Sequence, residues 1–137
     1  SSLLLKIVFY ILKNNVKNKK ICFLGVTFKA NTDDMRDSSS LSMIPLLIEK
    51  GAKVNYFDPT GEKDDFKKFK NVYFSNNINS AIKNSDLIII HTEWNDFKSI
   101  NFKKNVKNKK FKIFDMRNIY SLSKMKEKKI KYFSIGY

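Results

Sequence analysis

Short apolar runs alternate with amphipathic stretches along most of the chain. The clearest runs, 21–26 (ICFLGV) and 86–91 (DLIIIH), are nearly continuous in apolar residues, which is typical of strands that are buried on both faces. Weaker runs predict further strands. The complete set of predicted strands is 21–26, 53–58, 72–74, 86–91, 110–115 and 131–135.

Between these strands, apolar residues recur at helical spacing. The predicted helices are 3–15, a helix that ends before Gly51, 64–70, 78–84 and 123–129, with part of 95–106 also helical. The connections between successive strands are too long for hairpins, so the strands are expected to run parallel. The pattern therefore predicts an α/β fold, a Rossmann-like doubly wound, mainly parallel sheet of about five or six strands flanked by helices.

Two helices depart from an ordinary amphipathic pattern. Residues 3–15 (LLLKIVFYILKNN) are apolar on nearly all sides, so we expect this helix to be buried from more than one direction, by an upstream domain or a second subunit. The helix before Gly51 contains Pro45, which is tolerated in a first turn or at a kink. Its regular part is therefore predicted to begin as late as Ser42, after Asp37 and the serines that follow it provide caps.

Length and cysteine content limit the class of protein. The chain has 137 residues, which is enough for about one domain with its own core. Cys22 is the only cysteine, so disulfides and cysteine metal sites are excluded, and we expect a buried, unreactive thiol in a cytoplasmic protein. The apolar run 3–12 is too short to span a membrane. Because the chain begins at Ser1 and enters a helix at once, we expect it to be a piece of a longer protein.

The formal net charge of +14 raises the hypothesis of nucleic-acid binding. The lysines are spread through every predicted helix and loop, however, and none of their local runs matches a known nucleic-acid-binding motif. We therefore favour lysines on ordinary solvated surfaces over a nucleic-acid interface. Only two of the 27 basic residues are arginines, Arg36 and Arg117, and a planar donor retained in so lysine-rich a chain marks both positions for attention.

Candidate ligand contacts follow three of the predicted strands. Lys29 and Arg36 come after the first strand, residues 91–94 (HTEW) after the fourth, and Arg117 with Asn118 after the fifth. Because the carboxyl ends of parallel strands lie on the same edge of a sheet, these loops are expected to meet there. A lysine and two arginines on one edge would suit a phosphorylated or nucleotide ligand.

Each arginine also has carboxylates close to it in the sequence, and composition does not choose between ion pairing and ligand binding. The possible ion-pair partners are Asp33 and Asp34 for Arg36, and Glu93 and Asp115 for Arg117. Phe28 and Trp94 offer aromatic rings that could pack on the ring of a ligand at the same edge.

Other kinds of site find little support. Gly25 is followed by Val-Thr-Phe-Lys instead of the further glycines of a dinucleotide fingerprint, so this loop is not expected to hold a cofactor's pyrophosphate by itself. His91 is the only histidine and has no second ligand at metal-binding spacing, so a hydrogen-bonded histidine at a strand end is favoured over a metal ligand or a catalytic base. Asp58 is interpreted as a turn former. No nucleophilic catalytic arrangement can be assembled.

Four segments carry a resemblance to a known family: GVTFKANTDDMRDSSS, GAKVNYFDP, SDLIIIHTEWNDF and FDMRNIY, in this order and at these spacings. They resemble the C-terminal, UDP-binding domain of the UDP-glucose/GDP-mannose dehydrogenase family, and the combination of NTDDMR, TEW and RNIY points to its UDP-glucose 6-dehydrogenase branch. The resemblance implies two parts. Residues 1–18 would be the end of an interdomain helix and a connector, and residues 19–137 the UDP-sugar-binding domain.

Members of the branch oxidise the C6 alcohol of UDP-glucose to the carboxylate of UDP-glucuronate, using NAD and an enzyme thiol. The resemblance implies that the NAD-binding domain and the domain with the catalytic cysteine lie upstream, so the isolated chain would be inactive and holds no catalytic residue and no metal ligand. It also implies UDP-glucose and the upstream domains as partners, a homodimer for the whole enzyme, and neither nucleic acid nor membrane. The alternative is a non-catalytic basic module that binds nucleic acid or a nucleotide.

The resemblance assigns roles to individual residues by motif position. Phe28, Lys29 and Arg117 would contact the UDP-sugar, and Arg36 would reach toward NAD held by another domain. The sequence departs from the family pattern at two positions. Met116 stands where the family commonly has glycine, and Ala30 where it often has proline.

Overall fold

The computed structural model describes residues 2–135, and within them the chain forms one six-stranded sheet. The strands are β1 (Lys20–Leu24), β2 (Lys53–Phe57), β3 (Val72–Phe74), β4 (Leu87–Ile90), β5 (Lys112–Asp115) and β6 (Lys131–Ser134). Their order across the sheet is β3-β2-β1-β4-β5-β6, and each neighbouring pair is parallel. This is the doubly wound order of a Rossmann fold, so the predicted fold class is confirmed, with a wholly parallel sheet.

Helices lie between the strands much as the spacing predicts. They are α1 (Ser2–Ile11), α2 (Ser40–Glu49), α3 (Asp64–Lys67), α4 (Ile78–Ile82), α5 (Phe102–Asn105) and α6 (Leu122–Glu127), with a 3₁₀ turn at Asn95–Phe97. The first helix ends earlier than predicted, because Lys13 and Asn14 have φ angles of 55° and 60°, which do not continue a right-handed helix.

Helix α2 begins at Ser40, two residues before the latest start that Pro45 suggested. Pro45 lies inside the helix and not in its first turn. A proline removes one N–H from the helix, which here leaves the carbonyl of Leu41 without its usual partner. Leu41 is exposed, so water can satisfy that carbonyl and the helix continues through Pro45.

The sheet has a hydrophobic core on each face, and β1 contributes to both. Ile21 and Phe23 belong to the cluster that also contains residues of α1 and α2, whereas Cys22 and Leu24 belong to the cluster beneath α4, α5 and α6. The prediction of a strand buried on both faces is confirmed for β1. Cys22 is fully buried as predicted, and burial raises the pKa of its thiol.

Helix α1 packs against the sheet along one side. Leu5, Val8 and Ile11 are buried in the first core cluster, and the Lys112 Nζ donates to the Ile11 carbonyl at 2.9 Å. Leu3 and Tyr10 on the same helix are 68% and 75% exposed. Within the described residues, α1 is therefore buried from one direction. The division of the chain between residues 18 and 19 stays a prediction. Among residues 2–135, no helix combines the length and apolar character needed to cross a membrane.

Candidate functional site

The candidate site is the carboxyl edge of the sheet, which we define as the loops 25–39, 91–94 and 116–120. The first two loops approach each other closely at Gly25, whose φ is +78°. A Cβ atom on residue 25 would lie 2.6 Å from both Cβ and Oγ1 of Thr92. The absence of a side chain at Gly25 therefore allows the loop after β1 to pass beside the loop after β4.

Arg117 joins all three loops through its hydrogen bonds. Its Nε donates to the His91 carbonyl and its Nη2 to the Phe28 carbonyl, both at 3.1 Å, and its backbone N–H donates to Asp115 Oδ1 at 3.0 Å. Within residues 2–135, its guanidinium forms no ion pair with Glu93, Asp115 or another carboxylate. The loops that the topology was expected to bring together are in direct contact.

Asp115 fixes the conformation of the loop that carries Arg117. Its buried carboxylate accepts the backbone N–H groups of Arg117, Ile119 and Tyr120, and the Tyr132 hydroxyl at 2.7 Å. These donors account for why a carboxylate can be buried here. From the sequence alone, Asp115 is a candidate only for an ion pair. The signal available in the sequence was an aspartate at the last position of a buried strand.

Two further residues shape the loop after β5. The Met116 N–H donates to the Ile90 carbonyl at 3.1 Å, which extends the β4–β5 pairing by one bond. Met116 is not among the described residues with positive φ, so its backbone accepts a side chain where the family commonly has glycine. Asn118 has a φ of 55°, which turns the chain directly after Arg117.

His91 is buried at the end of β4 and is hydrogen-bonded at both ring nitrogens. Its Nε2 lies 2.9 Å from Ser39 Oγ and its Nδ1 lies 3.1 Å from Thr92 Oγ1. Burial, followed by the nearby charge of Arg117, lowers the pKa of His91 from 6.5 to about 3, so the ring is neutral at physiological pH. The interpretation of His91 as a hydrogen-bonded strand-end residue is confirmed, and the ring connects the loop after β1 to β4.

Among the serines after Asp37, it is Ser38 that caps α2, because its Oγ accepts the backbone N–H of Ser40 at 3.3 Å. Ser39 is the N-cap residue, but its hydroxyl contacts His91 and makes no capping hydrogen bond. The hydroxyls of Ser38 and Ser40 both donate to the Val26 carbonyl at 2.6 Å. These two side chains therefore connect the end of the loop 25–39 to its beginning at Val26.

The loop after β1 is also held by the end of β2. The Val26 N–H donates to Asp58 Oδ2 at 2.9 Å, and Asp58 Oδ1 accepts the N–H and the hydroxyl of Thr60. Asp58 is therefore a turn former, as interpreted from the sequence, and it additionally orients the first residues of the loop 25–39.

Phe28 and Lys29 present their side chains at the surface of this edge. Phe28 is 47% exposed and Lys29 is also exposed, while the backbone around them is fixed by the Phe28 N–H bond to the Asp34 carbonyl. Trp94 differs from the expectation that it could stack on a ligand. It is buried in the second core cluster, and its Nε1 has no hydrogen-bond partner among the described residues.

Arg36 forms an ion pair with Asp34, one of its two possible partners on that loop. Its Nε and Nη2 donate to the two oxygens of Asp34 at 3.0 and 3.1 Å, and the hydrogen bond from Arg36 lowers the pKa of Asp34. The Arg36 side chain is nevertheless 89% exposed. Exposed ion pairs contribute at most about 1 kcal/mol, so this pairing leaves Arg36 able to contact a ligand as well. Across residues 2–135, no group of three His, Cys, Asp or Glu side chains is placed to hold a metal ion.

Comparison with known proteins assigns the chain to a family. The profile of the UDP-glucose/GDP-mannose dehydrogenase family, UDP binding domain, matches residues 22–122. The chain belongs to this family. The resemblance seen in the four sequence segments is thereby confirmed at the level of the family and of its UDP-binding domain.

Two curated dehydrogenases of the family illustrate the relationship. The chain is 36% identical over 129 residues to the UDP-glucose 6-dehydrogenase of Rickettsia felis, which covers 92% of this chain and 29% of that protein. It is 34% identical over 123 residues to the UDP-glucose 6-dehydrogenase of Rhizobium meliloti, covering 89% and 28%. The chain thus spans less than a third of the length of these relatives.

A similar solved structure supports the fold. The NDP-N-acetyl-D-galactosaminuronic acid dehydrogenase of Methanosarcina mazei superposes with a TM-score of 0.79 at 23% identity, over 98% of this chain and 28% of that one. At this identity the likeness concerns the fold alone.

Proposed function

We propose that the chain is the UDP-sugar-binding domain of an NAD-dependent, cytoplasmic UDP-glucose 6-dehydrogenase that converts UDP-glucose to UDP-glucuronate as a homodimer. Membership of the UDP-binding domain family and identity to two UDP-glucose 6-dehydrogenases support this choice of substrate. The NAD-binding and catalytic-cysteine domains would be supplied by upstream sequence. The 137-residue chain is therefore expected to bind the nucleotide sugar weakly and to have no dehydrogenase activity alone.

The observation that carries the proposal is the contact of Arg117 with the loops of both Phe28 and His91. It gathers exposed Phe28, exposed Lys29 and a guanidinium at one edge, which is the combination that a ring and a pyrophosphate require. In this proposal Phe28 packs on the ligand, and Lys29 and Arg117 donate to its oxygens. A guanidinium has N–H groups beyond the two that Arg117 uses on carbonyls, so the same side chain can hold the loops and contact the ligand.

Arg36 is proposed to contact NAD that is bound mainly by another domain. Its exposed guanidinium lies on the same loop as Lys29, and its pairing with Asp34 restricts the orientation of the side chain. A restricted, exposed cation fits the pyrophosphate or a carboxamide oxygen of a dinucleotide. NAD, when bound, accepts the hydride from the sugar alcohol. This chain would contribute orientation of that cofactor and closure of the site against water.

Amide chemical shifts in a nitrogen-15-labelled sample of the 137-residue chain test the proposal. Titration with UDP and with UDP-glucose should shift the amides of Phe28, Lys29 and Arg117 together. Loss of one charge-assisted hydrogen bond weakens binding by about tenfold or more, so Lys29→Gln should raise the Kd for UDP by that factor. Lys50→Gln, which removes another exposed lysine, after α2, should leave the Kd unchanged.

The possible outcomes separate the site from the function. Binding of UDP that shifts only residues outside the carboxyl edge contradicts the assigned residues, whereas no binding of UDP or UDP-glucose contradicts the function. Equal shifts with UDP-glucose and UDP-N-acetylglucosamine would show that this domain reads the UDP part only. In the longer protein, Arg36→Gln should raise KM for NAD more than KM for UDP-glucose, and an unchanged KM for NAD contradicts the cofactor role.

A further inference from the structure

A second group of basic residues lies at the amino edge of the sheet, where the strands begin, opposite the candidate site. Five lysines from four segments of the chain line one cleft there, with a volume of about 480 Å³. They are Lys13, Lys19, Lys110, Lys112 and Lys131. The cleft size is within the range of about 300–1,000 Å³ that is usual for small-molecule sites.

The positive charge of this amino-edge cleft is not balanced by carboxylates. Asp86 is the acidic residue among the described residues that line it, and both of its oxygens are occupied. Oδ2 accepts the backbone N–H of Lys20 and Oδ1 accepts Asn108 Nδ2, each at 2.8 Å. Within residues 2–135, the ion pairs are Arg36–Asp34 and Lys67–Asp64, so none of the five lysines has a carboxylate partner.

The backbone holds some of these lysines against one another. Lys112 and Lys131 are directly opposite in the register of β5 and β6, an arrangement that is destabilising for like charges. Lys112 is also fixed by its bond to the Ile11 carbonyl. Burial and then the charges of Lys13, Lys131 and Lys19 lower the pKa of Lys112. A lysine-rich composition accounts for lysines that are solvated separately on the surface. It does not account for five lysines that surround one cleft.

The lining indicates which kind of anion fits. The described lining residues include no aromatic ring, so the cleft offers no stacking surface for a base. A compact cleft also does not follow an extended backbone, as a groove for single-stranded nucleic acid does. Several converging ammonium groups suit a ligand that carries several charges close together.

We propose that the amino-edge cleft binds a compact oligophosphate, either inorganic or as the triphosphate of a nucleotide. The proposal is independent of the UDP-sugar site, because the two sites lie at opposite edges of the sheet and share no residue. Binding would relieve the repulsion between Lys112 and Lys131 by placing an anion between charges that the fold brings together.

Calorimetric titration of the 137-residue chain with sodium tripolyphosphate, at about 0.15 M salt so that non-specific attraction is screened, tests the proposal. Calorimetry is expected to show one saturable site. In the nitrogen-15-labelled chain, the same titration should shift the amides of Lys112 and Lys131 and none in the loop 25–39. The double variant Lys19→Gln with Lys131→Gln should bind about a hundredfold more weakly, because it removes two charge-assisted contacts. Lys112 is kept because it also contacts α1.

The matched control is Lys124→Gln with Lys126→Gln, which lowers the net charge equally on exposed α6. This control should retain the affinity of the unmodified chain. Equal weakening in both double variants, or no saturable binding at all, overturns the proposal. Should the first variant lose its circular-dichroism spectrum, Lys131→Gln alone is compared with Lys126→Gln, and the same criterion applies.

Two further ligands identify what the cleft recognises. ATP should bind as tripolyphosphate does and adenosine should not bind, because the phosphate chain supplies the contacts. The proposal is contradicted if adenosine binds, or if ATP binds and tripolyphosphate does not. A single-stranded RNA that binds more tightly than tripolyphosphate and is unaffected by the Lys19 and Lys131 substitutions would instead indicate an extended nucleic-acid surface.

Discussion

At the scale of single residues, Arg117 shows how one side chain can serve both structure and binding. Its guanidinium donates to two backbone carbonyls on different loops, and these bonds position Phe28 beside the loop after β4. Lysine would not reproduce this arrangement, because its donors are all on one nitrogen, whereas Arg117 uses two nitrogens that are held in one plane. The orientation of the carboxyl edge therefore depends on a residue that is also a candidate ligand contact.

His91 predicts a dependence of stability on pH. Its pKa is 6.5 in the unfolded chain and about 3 in the folded one, so between these values the unfolded state binds a proton that the folded state does not. The contribution of His91 to the free energy of unfolding therefore has its full value above pH 6.5 and is lost progressively as the pH decreases toward 3. From pH 7.5 to 5 the loss should be about 2 kcal/mol, measured by urea unfolding.

The control for this prediction is His91→Gln, which removes the only histidine of the chain. The variant should be less stable at pH 7.5, because it changes the bonds to Ser39 and Thr92, but its stability should change little between pH 7.5 and 5. The same loss of stability in the variant and in the unmodified chain would assign the effect to carboxylates.

Gly25 and Gly61 form a matched pair for testing the close approach of the loops. Both have positive φ, +78° and +96°, so alanine is strained at either position. A Cβ on Gly25 also collides with Thr92, whereas nothing lies within 4 Å of one on Gly61. Gly25→Ala should therefore cost about 2–4 kcal/mol of unfolding free energy and Gly61→Ala about 1 kcal/mol. Equal losses in thermal unfolding would contradict the crowding described at Thr92.

Some residues of the site could be identified from sequence and others could not. Lys29 and Arg117 follow predicted strands, so topology alone placed them on one edge. The side-chain partners of Arg117 could not be predicted, since Asp115 is only two residues away in sequence, yet its oxygens are occupied by backbone N–H groups and the Tyr132 hydroxyl. Hydrogen bonds of this kind depend on how a loop folds back, which periodicity does not report.

At the scale of elements, burial on both faces explains which strands were easy to recognise. Strands β1 and β4 are continuous apolar runs because each contributes to both core clusters, and their positions match the prediction closely. Helix α2 was harder to place. Pro45 suggested a late start, but the consequence of a proline depends on whether the carbonyl it leaves unpaired is exposed, and that exposure is a tertiary property.

Helix α1 offers a second matched pair, Leu5 and Leu3, with side chains of the same type on the same helix. Leu5 is 7% exposed in the core and Leu3 is 68% exposed. Leu5→Ala should lower the free energy of unfolding by about 2–4 kcal/mol, because it removes buried methyl groups and leaves a cavity. Leu3→Ala should change it by less than about 0.5 kcal/mol in urea unfolding.

A large loss from Leu3→Ala would show that the exposed side of α1 is covered in solution by a second copy of the chain. A small loss from Leu5→Ala would show that α1 is not part of the cooperative unit, which would support the predicted division between residues 18 and 19.

At the scale of the whole molecule, the parallel sheet separates two chemically different edges. The carboxyl edge carries the family's UDP-binding segments, and the amino edge carries the lysine cleft. The single thiol lies between them, on the central strand β1, where it is fully buried. Opening of that strand is therefore needed before Cys22 can react.

Cys22 predicts very slow labelling of the folded protein. With a chromogenic disulfide reagent at pH 8, the folded chain should react at least about 10³-fold more slowly than the chain in 8 M urea, because only opened molecules expose the thiol. Absorbance at the product wavelength measures both rates. Labelling of the folded chain at the rate found in urea would contradict the burial of β1.

The central position of β1 also has a consequence for synthesis on the ribosome. β1 pairs with β2 on one side and with β4 on the other, and the β4 partner region lies 66 residues further along the chain. At about 5–20 residues per second, β1 would wait on the order of 3–13 s for β4 to emerge. During that interval the unpaired N–H and C=O groups of β1 form an open apolar edge, which makes this the period in which the nascent chain most needs protection from aggregation.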